Sequence, residues 1–344
     1  MNGKKVQKKQ PPKLPTRSIQ FDLFSQFVTN DEREVSNAIE LWDSIPKYFL
    51  TPHQVSKLRT PTGHADPYKW EFSHNGKPCA VKIQPALIEQ VNGSYKAFFP
   101  GVTEELVEEA LKKILADSQC GFHDADNSET WVSFTLRMVD KELKSRKRTR
   151  SITEIRHAIE VMNKCNIAYY INGNEAWSGA ILQDLVTVGR DEFLANQDAR
   201  HVARLPVFIS KSINQLGGRQ FNLDRYLACG EQLTRWIYKQ LINRFKQASQ
   251  MNSYHFMYSD IKESGLLQQT REIDNRRKVI SSLDELVAEE VLSSYTSDIR
   301  KNGRRIVDVK FTVFASNEFV KEQKAANKRS KDAVAVTYTN KKSF

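Results

Sequence analysis

The chain has 344 residues, enough for two domains or three, and its 40% hydrophobic and 27% charged residues exclude wholesale disorder. No apolar run approaches the ~18–20 residues needed to span a membrane. The net charge of +11 sits at the ends: residues 1–17 hold six Lys/Arg and no acid, residues 321–344 hold seven Lys/Arg and two acids, and the body between carries 39 of each sign.

The N-terminal MNGKKVQKKQPPKLPTR is basic but has no apolar stretch behind it, which excludes a secretory signal. The four cysteines, Cys79, Cys120, Cys165 and Cys229, are widely spaced with no CxxC pair. That spacing argues against a zinc site or a disulfide framework and fits a reducing cytoplasm. Basic ends suit polyanions, because each phosphate contact releases counterions, and they equally suit solubility.

In chain order, DEREVSNAIELWDSIPKYF predicts a helix with Ile39, Leu41 and Trp42 inward, ending near Pro46. Asn75-Gly76 and Asn92-Gly93 predict hairpins, since a two-residue turn needs positive φ at both central positions. Residues 18–100 therefore read as a small α+β region. Thr103 is placed to cap a helix through Leu115, with Glu104 and Glu105 in the first turn and Leu106, Ala110, Leu111, Ile114 and Leu115 inward. Ser128 is placed to cap a second helix carrying Trp131, Phe134, Met138, Val139 and Leu143. After a basic run, Ser151-Ile-Thr-Glu154 is a capping box that opens a third helix, and Asn172-Gly173 marks a hairpin behind it.

The order then recurs. Residues 190–222 form a mixed connector with Gly217-Gly218. A helix follows near 230–248, then a short helix with Ser259 as cap. A long helix capped by Asp274 has Val279, Ile280, Leu283, Leu286 and Val287 inward, and a hairpin turns through Lys301-Asn302-Gly303-Arg304. Three helices and a hairpin, twice, predict an α+β protein of two tandem winged helices. The expected divisions are a basic disordered tail 1–17, an α+β region 18–100, winged helix 1 over 101–189, winged helix 2 with connector over 190–320, and a basic tail 321–344.

No GxxxxGK[ST] loop, His-x-His pair or Gly-x-Ser-x-Gly elbow occurs. His123-Asp124-Ala-Asp126 could bind a metal, and a loop before the Ser128 helix explains it as well. The expectation is a protein without catalytic residues, cofactor or metal. In a winged helix the last helix enters the major groove, which singles out Asn275, Arg276, Arg277, Lys278, Ser281 and Ser282. The second hairpin adds Arg300, Lys301, Asn302, Arg304 and Arg305 at its tip, suited to a phosphate ridge or minor groove. In the first module Arg146, Lys147, Arg148 and Arg150 lie in the turn before the third helix and Arg156 on it, where phosphate clamps sit.

The stretches RSIQFDLFSQFVTN, ELWDSIPKYF, IQPALIEQVNGSYKAFFP, VTEELVEEALKKIL, AILQDLVTVGR, CGEQLTRWIYKQLINRF and DNRRKVISSLDELVAEEVL resemble plasmid replication initiators of the iteron-binding Rep class, closest to the RepA-type initiators of IncA/C plasmids. The resemblance implies a cytoplasmic, plasmid-encoded bacterial protein that binds double-stranded DNA at origin repeats. It further implies melting of an adjacent AT-rich segment, recruitment of host DnaA, helicase and polymerase, and a homodimer in equilibrium with monomer that also represses its own promoter. By position, Arg276, Arg277 and Lys278 take the recognition-helix role. A winged-helix transcriptional regulator, and a nickase or primase with an unrecognised metal site, are the alternative readings.

Overall fold

The computed structural model describes residues 35–116, 119–196, 199–214 and 218–341; the segment 1–17 lies outside them. Strand β1 (Val35–Ala38) and helix α1 (Glu40–Ser44) lead into α2 (Pro52–Leu58). The hairpin β2 (Tyr68–His74)–β3 (Lys77–Gln84) and the ribbon β4 (Ala86–Glu89)–β5 (Tyr95–Phe98) precede α3 (Val102–Leu115). Strands β6 (Gly121–Asp124) and β7 (Glu129–Phe134) separate α3 from α4 (Leu136–Lys144) and α5 (Ile152–Lys164), and the hairpin β8 (Asn166–Ile171)–β9 (Asn174–Gly179) follows. The connector holds β10 (Gln183–Val186), α6 (Arg190–Ala195), β11 (His201–Arg204), α7 (Val207–Asn214), β12 (Arg219–Asn222) and α8 (Leu223–Ala228). The second half runs α9 (Gln232–Arg244), β13 (Ser253–Met257), α10 (Tyr258–Lys262), α11 (Glu272–Ala288), the long hairpin β14 (Leu292–Asn302)–β15 (Arg305–Ala315) and α12 (Asn317–Lys341).

The fold is α+β, with several small antiparallel sheets distributed among the helices. Two of the Asn-Gly turns form as expected: Asn75 and Gly76 have φ of 52° and 74°, and Asn172 and Gly173 have 50° and 81°, whereas β4 and β5 are joined by a longer loop in which Gly93 but not Asn92 has positive φ. Ser151 and Glu154 make the expected capping box of α5. The second half has the order helix, strand, helix, helix, hairpin, and β13 pairs with β15 to complete a three-stranded sheet, β13-β15-β14.

Several expectations are corrected. The division at 100/101 cuts through a sheet, because β3 pairs with β8 from Cys79↔Ile171 to Gln84↔Asn166, giving the order β2-β3-β8-β9. Ser128 caps no helix; it takes φ 52° in the turn between β6 and β7. Residues 129–134 alternate half-buried and buried, a strand period that puts Thr130, Val132 and Phe134 inward, and Thr135 caps α4 instead. Of the helix expected over residues 31–49, residues 31–34 lie outside the described residues, Val35–Ala38 form a strand paired with β12, and Glu40–Ser44 form α1. Gly101 replaces Thr103 as the N-cap of α3, and Arg271 replaces Asp274 as that of α11. Ser259 lies inside α10, held by Asp308. Residues 321–341 continue α12: Phe319, Val320, Gln323 and Ala326 are buried, and Arg219 donates to Gln323 (2.6 Å) and Asn327 (3.0 Å).

The least expected feature is α3, which buries Glu104, Glu105, Glu108, Glu109 and Lys112 along with its apolar stripe. It packs against α4, α5 and β7, and its acids meet the bases of α9 through long side chains. Arg235 donates to Glu105 from Nη2 (3.0 Å) and Nε (3.2 Å), and Lys239 reaches Glu109 (2.5 Å) and Asp43 of α1 (2.9 Å). Lys112 bridges the same two acids, at 2.6 Å from Glu109 and 3.3 Å from Asp43. Glu108 accepts from Trp42 and from Tyr48 Oη (2.8 Å), with Lys47 4.0 Å away. Four anions thus face four cations. Burial alone would raise the Asp43 carboxyl, but Lys112, Lys239 and Lys47 outweigh it and hold it well below the carboxylate range. Burial alone would lower the Lys239 amine, and Asp43 and Glu109 reverse that and raise it.

Removing one member of such a network strands a buried charge. Lys239→Met should therefore destabilise the fold by about 3–5 kcal/mol, read from urea unfolding. Lys246→Ala, which breaks the exposed pair with Glu40, should cost less than about 1 kcal/mol. The pH dependence follows from the directions. Asp43 titrates lower folded than unfolded, so its stabilisation is full above its unfolded value of 3.8 and is lost as pH falls through the folded value. Lys239 titrates higher folded than unfolded, so its contribution is full below 10.5 and is lost only as pH rises through the folded value. Through Asp43 the urea midpoint should fall on the acid side below about pH 4, and Asp43→Asn should flatten that limb.

Candidate nucleic-acid interface

The basic run of the first half is mostly occupied by structure. Arg146 is buried; it pairs with Glu142 in the last turn of α4 and with Asp224 of α8 (Nε to Oδ1, 2.6 Å). Arg148 donates to the carbonyls of Leu227 (2.5 Å), Ala228 (3.0 Å) and Cys229 (2.6 Å), capping the C-terminal end of α8, where carbonyls lack helical partners. Arg150 donates to Thr103 Oγ1 (3.1 Å) and its neighbour's carbonyl (2.8 Å). Arg146 and Arg148 fasten the first half to the connector, and Arg150 ties the turn to α3, so the run expected to be an open phosphate clamp is largely engaged within the fold. Lys147, with φ 59°, and Arg156 are exposed.

On α11 the expected group is divided by the helix. Asn275 is buried and clasps Gln269, accepting from its N–H (2.9 Å) and donating to its carbonyl (3.0 Å), so it closes the preceding loop. Ser282 is buried against the core, its hydroxyl without a hydrogen-bond partner. Lys278 donates to the Leu266 carbonyl (3.1 Å), and Arg276 lies half-buried on the flank near Glu272 and Tyr258. Two of the six, Arg277 and Ser281, are exposed, and Ile280, expected inward, is exposed too. The outward line of the helix is therefore Ile273, Arg277, Ile280, Ser281 and Asp284, residues spaced by three, four and seven. Sequence periodicity missed this because one apolar side chain shifts the apparent core stripe by a third of a turn.

The hairpin tip is as expected. Arg300, Lys301, Asn302, Arg304 and Arg305 are all exposed around Gly303, whose φ of 60° makes the turn. None of its four cations has a salt-bridge partner among the described residues. Tyr295 near the base of β14 donates to Asp284 in the C-terminal half of α11 (2.6 Å), which ties the base of the hairpin to that end of the helix. The acids of α11 that would repel phosphate are partly occupied: Glu285 accepts from the Gly230 N–H (2.5 Å) and Thr234 (2.5 Å). On α12, Lys321, Lys324, Lys328 and Lys331 share one exposed face at helical spacing.

His123, Asp124 and Asp126 do not converge. His123 points inward, its ring nitrogens 2.8 Å from Thr130 Oγ1 and 2.7 Å from Asn214 Oδ1, and burial lowers its imidazole pKa. Asp124 points outward and accepts from the Asn127 backbone (3.0 Å) and side chain (2.8 Å). Among the described residues no group of three or more His, Cys, Asp or Glu could hold a metal ion, and no helix is long and apolar enough to cross a membrane.

Paired and unpaired arginines should separate in a melting experiment. Arg148→Ala should lower stability by about 1–3 kcal/mol through loss of charge-assisted bonds to three carbonyls. Arg304→Ala should leave the melting temperature unchanged.

No family model matches the chain, and no curated protein matches it. Solved structures similar to it include domains 2 and 3 of RctB, at 13% identity and a TM-score of 0.48 over 81% of this chain and 98% of that one. A second structure of RctB domains 2–3 gives 13% identity and a TM-score of 0.45 over 78% and 97%. The Pi initiator protein, in complex with iteron DNA, gives 12% identity and a TM-score of 0.36 over 84% and 100%.

Proposed function

We propose that this protein is a replication initiator that binds duplex DNA at repeated origin sites through two winged helices, one built on α3 to β9 and the other on α9 to β15. The observation that carries this reading is the cationic tip of β14–β15: Arg300, Lys301, Arg304 and Arg305 are exposed, lack salt-bridge partners among the described residues, and belong to the hairpin that flanks α11. Charged groups elsewhere in the body are widely paired, and unpaired cations on a protruding hairpin fit a phosphate ridge or a minor groove. The sequence resemblance to iteron-binding Rep initiators supports the same reading.

In this reading α11 enters the major groove, the hairpin follows the adjacent backbone, and the first module supports rather than reads, since its Arg146 and Arg148 are occupied. The buried ladder between α3 and α9 would hold both modules in one orientation, so that DNA docked on both must follow the path they set. Deforming DNA in this way concentrates strain at flexible AT-rich steps, a physical route to local melting. The protein acts in the cytoplasm by binding, without chemistry of its own. Recruitment of host DnaA, helicase and polymerase, dimer–monomer exchange and autorepression belong to the same proposal.

Footprinting on the DNA flanking its gene should show regularly spaced protection; absence of protection removes the initiator reading. Replacing Arg300, Lys301, Arg304 and Arg305 together by Ala should weaken cognate and scrambled duplexes alike. It should also shallow the salt slope by about 0.9 for each phosphate no longer neutralised, measured by titration at several salt concentrations.

A further inference from the structure

The outward line of α11 is not purely polar. Ile273 is 45% exposed and Ile280 39% exposed, one on either side of Arg277. A single exposed isoleucine on a helix needs no explanation. Here, however, Ile273 and Ile280 flank the exposed Arg277, whose guanidinium lies 3.4 Å from Asp274, and two further large apolar side chains, Ile299 and Val307, are exposed on the hairpin that carries the cationic tip. A protein partner would favour an apolar patch with few charges at its centre. Aliphatic side chains interleaved with cations match another surface, the DNA major groove. There, phosphates line the walls, guanine presents O6 and N7, and thymine presents a 5-methyl group as the apolar feature of its edge.

Resting on the DNA-binding reading above, we propose that Ile273 and Ile280 contact thymine 5-methyl groups in the major groove, with Arg277 between them on the O6 and N7 of a guanine. Seven residues along a helix span about 10.5 Å, and stacked bases rise about 3.4 Å each. The two isoleucines therefore address thymines about three base pairs apart, and the recognised repeat is specified partly by methyl groups. This differs from reading by Asn275, Arg276 and Lys278, which the fold turns toward its own loops or flank.

The test uses the full chain and a duplex enriched by that chain from a randomised pool. The duplex is resynthesised with each thymine replaced in turn by deoxyuridine, which removes the methyl and keeps the hydrogen-bonding edge. At two positions about three base pairs apart the wild-type protein should lose affinity about fourfold per methyl, the equivalent of one buried CH2. Ile280→Ala should bind the thymine duplex more weakly by a similar factor and be indifferent to deoxyuridine at one of those positions. Ile280→Val should fall between. Ile273→Ala should be indifferent at the other position, and the melting temperature of each variant should match the wild type. Enrichment of a duplex insensitive to every deoxyuridine, or an Ile280→Ala protein as sensitive as wild type, overturns this inference and leaves DNA binding standing. Failure to enrich any duplex overturns both.

Discussion

The fold depends on a buried match of charges between α3 and α9. Glu105 and Glu109 stand one turn apart on α3, Arg235 and Lys239 one turn apart on α9, and each acid meets its own base. Apolar packing alone tolerates sliding, because one aliphatic contact is much like the next. An ion-pair ladder out of water does not, since a slip of one turn leaves charges unpaired where desolvation is most costly. The ladder adds little net stability compared with apolar residues of the same volume, and it fixes how the first helix of one half lies on the first helix of the other. Asp43 and Lys112 extend it, so that α1, α3 and α9 share one neutral network.

Smaller junctions repeat the theme of polar contacts between segments distant in sequence. Arg146 and Arg148 bind α8, Trp70 donates to the Glu263 carbonyl (2.8 Å), and the Ser73 N–H donates to Glu263 Oε2 (2.7 Å). Gly265, at φ 76°, sits against the ring of Phe49, where a Cβ would lie 2.7 Å from the ring. Exposed cations without a salt-bridge partner among the described residues include four at the tip of the second hairpin and others scattered over the first half, such as Lys147 and Arg156. In the middle of the chain, arginines serve as mortar as often as they serve as surface charge, and the difference lies in which carbonyls and carboxylates come within reach.

Much of the local structure was legible in the chain itself. Two of the Asn-Gly turns, the Ser151–Glu154 box, the cores of α3, α5 and α9 and the long second hairpin with its cationic tip all follow from short-range rules: φ preferences, caps and periodicity. These rules act over fewer than about ten residues, so they can be read wherever the segment's own chemistry decides its shape. Where two periods fit the same residues, as for Trp131 and Phe134, the choice was made by pairing of β7 with β6 and β11, partners outside any local window.

The sequence by itself determined the α+β class, the Asn75-Gly76 and Asn172-Gly173 turns and the cationic second hairpin, because each depends on contacts between near neighbours. Only the tertiary structure decided which charges are buried and which are free. Glu108, Glu109 and Lys112 lie outside the apolar stripe expected of α3 and gain their role from α9 and α1, and Arg146 and Arg148 read as a clamp until α8 is brought against them. A charge takes its role from the partner it meets and the water it loses, and both are set by residues far away in the chain.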